Sequence, residues 1–171
     1  MAYNLRISGI VEESSVDGPG LRYTLFTQGC PHACPGCHNP QTHSFEGGRM
    51  VDIEDILKAI EENPLLRGVT FSGGEPFSQA APLAVLAGRI HERTTLNVLT
   101  YTGYTWEELL QHEDPAVRAL LEQTDVLIDG RYLEAQRDLT LRFRGSANQR
   151  VIDVKKSLDA GAPMQISDDL Q

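Results

Sequence analysis

All three cysteines of the chain, Cys30, Cys34 and Cys37, fall within the stretch GCPHACPGCHNP, with the spacing C-x3-C-x2-C. A disulfide would leave one thiol over, and a closed tetrahedral metal site needs four ligands. A nucleophilic cysteine asks for a base and an orienting partner, which three clustered thiols do not suggest. Structural zinc can recruit His32, His38 or His43 as a fourth ligand. Such sites, however, commonly draw two ligand pairs from separated segments, and the chain has no second cysteine pair. A 4Fe–4S cubane usually takes four cysteines. Carried on three, it leaves one iron with an open position, the mark of a metal centre that binds something other than protein. Soft thiolates select zinc or iron–sulfur over harder metals, so both stay open on donor type.

A second stretch, SGGEP, ends a short apolar run. Gly73 and Gly74 permit close backbone approach and positive φ, and Glu75 offers an acceptor for an ammonium group. Alone, a Gly-Gly ahead of a helix reads as an ordinary turn. Its weight comes from its position relative to the cysteine loop.

The elements that must position these residues alternate. LRYTLFTQ (21–28) reads as a strand running into the cysteine loop, with LRISGI before it as a short edge strand. From Asp52 as N-cap, Ile53, Ile56, Leu57 and Ile60 share one helical face. GVTFS is a strand that stops at Gly73, and SQAAPLAVLAGRIHER is a helix with Leu83, Leu86 and Ile90 in line. TLNVLTY is the next strand, and Thr105 with Glu108 forms a capping box for WEELLQ. Asp114-Pro115 opens another helix and DVLID is a further strand. LRFRG and QRVIDVKKSL read as either strand or helix. The terminal SDDLQ reads as polar and frayed.

This alternation predicts an α/β fold with a mostly parallel sheet covered on one or both faces. At 171 residues the chain is short for an eight-unit α/β barrel, so an open partial (β/α) barrel is expected, in a single domain over 1–171. In such sheets the site lies beyond the carboxyl ends of the strands. The cysteine loop, SGGEP, TGYT and DGRY each follow a strand, and so should collect at one edge.

The formal net charge of −9 repels phosphate backbones, which argues against nucleic acid. No apolar run suits a membrane span, and MAYNLRISGI lacks the features of a signal peptide. The expected compartment is the cytoplasm, where thiols stay reduced.

C-x3-C-x2-C after one strand and a Gly-Gly-Glu turn after the next resemble the radical S-adenosylmethionine enzymes. With DGPGLR upstream, and LIDGRY and RGSANQR downstream, the chain from Gly9 to Val154 is similar to the activating proteins of anaerobic (class III) ribonucleoside-triphosphate reductase. Many superfamily members carry an aromatic residue where this chain has Gly36. The resemblance implies one 4Fe–4S cluster on Cys30, Cys34 and Cys37, with S-adenosylmethionine chelated at the fourth iron. Gly36, Cys37 and His38 would line that cofactor, and Gly73, Gly74 and Glu75 would hold its methionine amino end. It implies an oxidoreductase in which reductive cleavage gives a 5′-deoxyadenosyl radical that forms a glycyl radical on the large reductase subunit. A flavodoxin-type protein would be the electron donor, and a homodimer within a hetero-tetramer the assembly. No side chain would act as acid or base. Rival readings are an activase of another glycyl-radical enzyme, a small-molecule enzyme such as a deazaguanine synthase, or a non-enzymatic zinc or electron-transfer module.

Tyr104, Asp129, Arg131, Ser146 and Asn148 fall near the same edge, where each can touch the cofactor or merely tie loops together. His32, His43 and His91 read as solvated or locally bonded, and Trp106 as packing.

Overall fold

The structure is a computed structural model describing residues 3–166; SDDLQ lies outside the described residues. One seven-stranded sheet organises the chain, in the order β3-β1-β2-β4-β5-β6-β7. Its centre comprises β2 (Arg22–Thr27), β4 (Gly68–Gly73), β5 (Asn97–Tyr101) and β6 (Val126–Asp129), all parallel. β1 (Asn4–Ser14) runs antiparallel to β2 on one side, and β7 (Arg150–Asp153) antiparallel to β6 on the other. β3 (Arg49–Asp52) pairs with β1 and forms the outer edge.

Two expectations are corrected. LRISGI belongs to an eleven-residue strand rather than a short edge strand, because RMVD, a segment with no alternating signal of its own, covers its outer side. The segment LRFRG is neither strand nor helix, whereas QRVIDVKKSL divides into β7 followed by α5 (Val154–Ala160). Asp153 makes that division: its side chain accepts from Lys156 N and caps the new helix.

The remaining helices follow the sequence signals. Asp52 caps α1 (Ile53–Glu61) by accepting from Glu54 N. The Thr105–Glu108 capping box closes on α3 (Trp106–Gln111). Asp114 caps α4 (Pro115–Gln123), whose first residue is proline. α2 (Ala80–Arg93) lies against both α1 and α4 and buries Leu83, Leu86 and Ile90 completely. Each such side chain contributes about 1.5–3 kcal/mol.

The period-2 alternation of the strands sorts the two faces of the sheet. Leu25, Val69, Phe71, Val98, Leu127 and Ile152 join the main core with the helices, so the helices cover one face. The other face carries Leu99, Ile128 and Val151 in a smaller cluster with Tyr101 and Phe143, covered by loops. This loop-covered face is where the chain leaves room for a site.

Candidate active site

The loops after β2, β4, β5 and β6 meet beyond the carboxyl ends of the parallel strands and enclose a cleft of about 640 Å³. Cys30, Cys34 and Cys37 all line it, together with His38, Gly73 and Gly74. Two residues expected to line it do not. Gly36 sits exposed at the turn of the cysteine loop and Glu75 is buried behind the wall, and each has a structural reason.

Gly36 makes the turn that brings two thiols together. Cys37 N donates to Cys34 O at 3.1 Å across Pro35-Gly36, and Gly36 has φ of 74°. Proline followed by a positive-φ glycine is the pattern of a type II turn. A side chain there would meet the Glu134 carboxylate, its Cδ 2.9 Å from the Cβ position. At that φ any residue with a Cβ would be strained. At the other end of the loop, Gly29 N donates to Thr42 O at 2.7 Å and Cys30 N to His43 O at 3.1 Å, anchoring the entry. Ala33, between the first two cysteines, is held at φ of 49°, a left-handed conformation that costs energy for a residue with a Cβ. Burial pushes the Cys30 thiol above its ordinary pKa; coordination to a metal reverses this, because a bound thiol is deprotonated.

The glycine turn lets two loops touch. Gly73 has φ of 93°, and a Cβ on it would lie 2.5 Å from Thr27 N. A Cβ on Gly74 would lie 3.0 Å from Thr42 O. Gly74 N donates to Thr27 O and Glu75 N to Gly29 O, both at 2.8 Å. The Glu75 side chain is fully buried. Its oxygens accept from Gly103 N at 2.7 Å, Phe77 N at 3.0 Å, Thr102 Oγ1 at 2.9 Å and His32 Nε2 at 2.6 Å. Both Glu75 oxygens thus already accept from the protein's own donors.

The five residues of open role are ties between loops; none lines the cleft. Asp129 accepts from Trp106 N at the start of α3, Arg131 pairs with Glu108 on the surface, and Asn148 Nδ2 donates to Arg131 O. Ser146 Oγ accepts from Leu133 N, and Tyr104 packs edge-on against His32. Trp106 is in the core as expected, while His91 Nε2 lies 2.8 Å from Gln123 O, a tertiary rather than a local contact. His43 Nε2 is buried without a hydrogen-bond partner.

The cleft also holds residues that sequence reasoning passed over: Asp17, Tyr101, Tyr132 and Phe143. Tyr132 lies beside the DGRY loop's arginine and stacks near His38, ring centroids 5.1 Å apart. Tyr101 Oη donates to Phe143 O at 2.5 Å, pinning the 137–149 loop over the cleft. Asp17 accepts from Ser14 Oγ at 2.5 Å, and its loop is held by Arg22, whose Nη1 donates to Pro19 O. DGPGLR was the available signal for Asp17; nothing local marks Phe143.

The donor set fits an iron–sulfur cluster. Among the described residues no three Cys, His, Asp or Glu side chains converge as they would on a single ion. A cubane in which each thiolate takes its own iron makes no such demand. Three soft donors on one anchored loop face an open cleft, where a cluster would have free space beside it.

Residues 16–152 match the family described as a 4Fe-4S single cluster domain, which places the chain among single-cluster iron–sulfur proteins. An anaerobic ribonucleoside-triphosphate reductase-activating protein of Vibrio cholerae is 40% identical over 78% of this chain and 88% of its own length. The protein of the same name from Escherichia coli K12 is 36% identical over 80% and 90%, and that of bacteriophage T4 is 31% identical over 80% and 86%. The chain belongs to the family of anaerobic ribonucleoside-triphosphate reductase-activating proteins. Among solved structures, QueE from Escherichia coli overlays 60% of this chain and 53% of its own, with a TM-score of 0.46 and 19% identity.

Proposed function

We propose that this chain is a radical S-adenosylmethionine enzyme that activates an anaerobic (class III) ribonucleoside-triphosphate reductase. The observation that carries the reading is the meeting of three thiols and the Gly73-Gly74 turn in one cleft at the carboxyl ends of parallel strands. The names of its relatives supply the target.

Cys30, Cys34 and Cys37 would hold a single 4Fe–4S cluster, and Gly73, Gly74, Cys37 and His38 would line S-adenosylmethionine beside it. When bound, the pair supplies one-electron cleavage of the sulfonium and, from it, hydrogen abstraction from a glycine Cα of the reductase. The chain's own residues position and shield. Gly36 turns the loop so that Cys34 and Cys37 face the same space, and Glu75 fixes the glycine turn from behind. Tyr132, Phe143 and Tyr101 furnish walls that exclude water from a reactive intermediate. No side chain need move a proton where the bound cofactors supply the chemistry.

The mouth of the cleft carries exposed apolar residues, Val16 at 75% and Leu139 at 80% exposure. They suit the approach of a glycine-bearing segment from another protein, and an open partial (β/α) barrel over 1–171 would leave that approach clear. No described helix is long and apolar enough to cross a membrane. The assigned setting is the cytoplasm, with a flavodoxin-type donor and a homodimer of this chain in a hetero-tetramer with the reductase.

The experiment is electron paramagnetic resonance on the anaerobically reconstituted, reduced protein with and without S-adenosylmethionine, followed by incubation with a matched reductase. The reading expects a cluster signal that shifts with the cofactor, then a glycyl radical on the reductase. A signal indifferent to the cofactor would leave an electron-transfer module. Cofactor cleavage without a glycyl radical would point to a different substrate.

A further inference from the structure

His32 lies inside the cysteine loop, between two solvent-exposed neighbours, Pro31 and Ala33, yet its own side chain is only 4% exposed. The ring turns inward to Glu75, with Nε2 2.6 Å from Oε1. A carboxylate only accepts, so the imidazole donates through Nε2. Tyr104 meets the ring edge-on at 4.6 Å between centroids and an interplanar angle of 79°. On another side the ring abuts Gly103, where a Cβ would lie 2.7 Å from Nε2, so the third loop has glycine where the imidazole needs space.

Glu75 is the hub of this arrangement. Besides His32 it accepts from Phe77 N in its own loop and from Thr102 Oγ1 and Gly103 N in the loop after β5. One buried carboxylate thereby joins the loops that follow β2, β4 and β5, each of which contributes residues to the cleft. His32 is the cysteine loop's side-chain contribution to that junction. The left-handed Ala33 beside it is a conformation that persists only where the surroundings over-determine it, and a clamped neighbour supplies that constraint.

We infer that His32 is a positioning residue whose hydrogen bond to Glu75 sets the placement of the thiol loop relative to the Gly73-Gly74 turn. The inference rests on the proposed function, in which one loop carries the cluster and the other holds S-adenosylmethionine. Losing the clamp leaves all three thiols and the Glu75 N–Gly29 O backbone bond in place but removes the side-chain tie that sets the thiol loop against the glycine turn. Cluster loading is thus spared while cofactor binding suffers.

Two measurements test it. In the metal-free wild-type protein, the imidazole nitrogen–proton spectrum is expected to show a His32 Nε2–H protected from exchange; a freely exchanging ring overturns the inference without any variant having to fold. In reconstituted protein, His32→Met fills the space without a donor and His32→Gln restores one. His32→Met is expected to keep wild-type iron and sulfide content while the S-adenosylmethionine concentration that half-shifts the reduced cluster's resonance rises about tenfold, with His32→Gln recovering most of that loss. Equal half-shift concentrations in all three proteins, or iron lost in parallel with cofactor affinity, overturn the clamp. A wild-type signal that ignores S-adenosylmethionine sinks instead the functional reading on which it rests.

Discussion

Asp129 and Arg150 are register partners across the antiparallel β6–β7 pair, with Arg150 Nη2 2.5 Å from Asp129 Oδ2. Arg150 Nε also reaches Asp129 Oδ1, and Glu107 takes a further bond from Nη2 at 2.8 Å. Asp129 is 1% exposed and simultaneously accepts from Trp106 N, so one carboxylate fastens the last strand and starts α3. These bonds, those to Asp129 first, raise the Arg150 pKa still further. Asp129→Asn keeps the shape but removes the charge that faces the guanidinium. It is expected to cost about 2–3 kcal/mol, read as a lower urea midpoint at unchanged m-value.

Arg22 is completely buried and donates to no carboxylate: its partners are Thr70 Oγ1, Pro19 O, Val69 O and Asn97 Oδ1. Burial pushes its pKa down to about 10. Arg22→Ala leaves those acceptors unpaired around a void, with an expected loss of about 3 kcal/mol. Because Pro19 is released, limited proteolysis should cut within 15–20 in the variant before the wild type is touched.

Tyr23 is 3% exposed, and burial raises its pKa from 10.0 to about 12. The folded state therefore keeps a proton that the unfolded state gives up. The resulting stabilisation is complete below pH 10 and is lost as pH rises through about 12. Urea titrations of wild type and Tyr23→Phe at pH 9, 10 and 11 should show the wild type falling progressively relative to the variant. Parallel curves would contradict the shift.

Gly73→Ala places a Cβ 2.5 Å from Thr27 N and 2.6 Å from Phe26 C, at φ of 93°. The obstacle is backbone, which cannot swing aside. We expect about 2–4 kcal/mol of destabilisation, measured as a lower Tm, because both strain and displacement of β2 must be absorbed.

Replacing Cys30, Cys34 or Cys37 singly by Ala should abolish retained iron and sulfide after anaerobic reconstitution, whereas His38→Ala should retain both. Iron retained by any one cysteine variant would show that the three thiols are not the ligand set. Zinc retained by the wild type and lost with His38→Ala would return the motif to a structural site.

Much of this protein was legible locally. The Thr105–Glu108 box, the Asp52 and Asp114 caps and the α2 stripe form as written, because caps and apolar stripes are decided by residues within one or two turns. The thiol spacing and the Gly73-Gly74 turn likewise mark their own location. Edge strand β3 was not legible: RMVD has no alternation, and it becomes a strand only because β1 presents an unpaired side. Nor was the destination of Glu75, whose partners lie 27, 28 and 43 residues away. A buried carboxylate must find donors, and which donors are at hand depends on how parallel strands bring distant loops to one edge. The sequence by itself determined where soft donors cluster, where the helices begin and which faces are apolar. Only the tertiary structure decided that His32 turns inward and that Tyr132 and Phe143 wall the cleft, because each depends on contacts between segments distant along the chain.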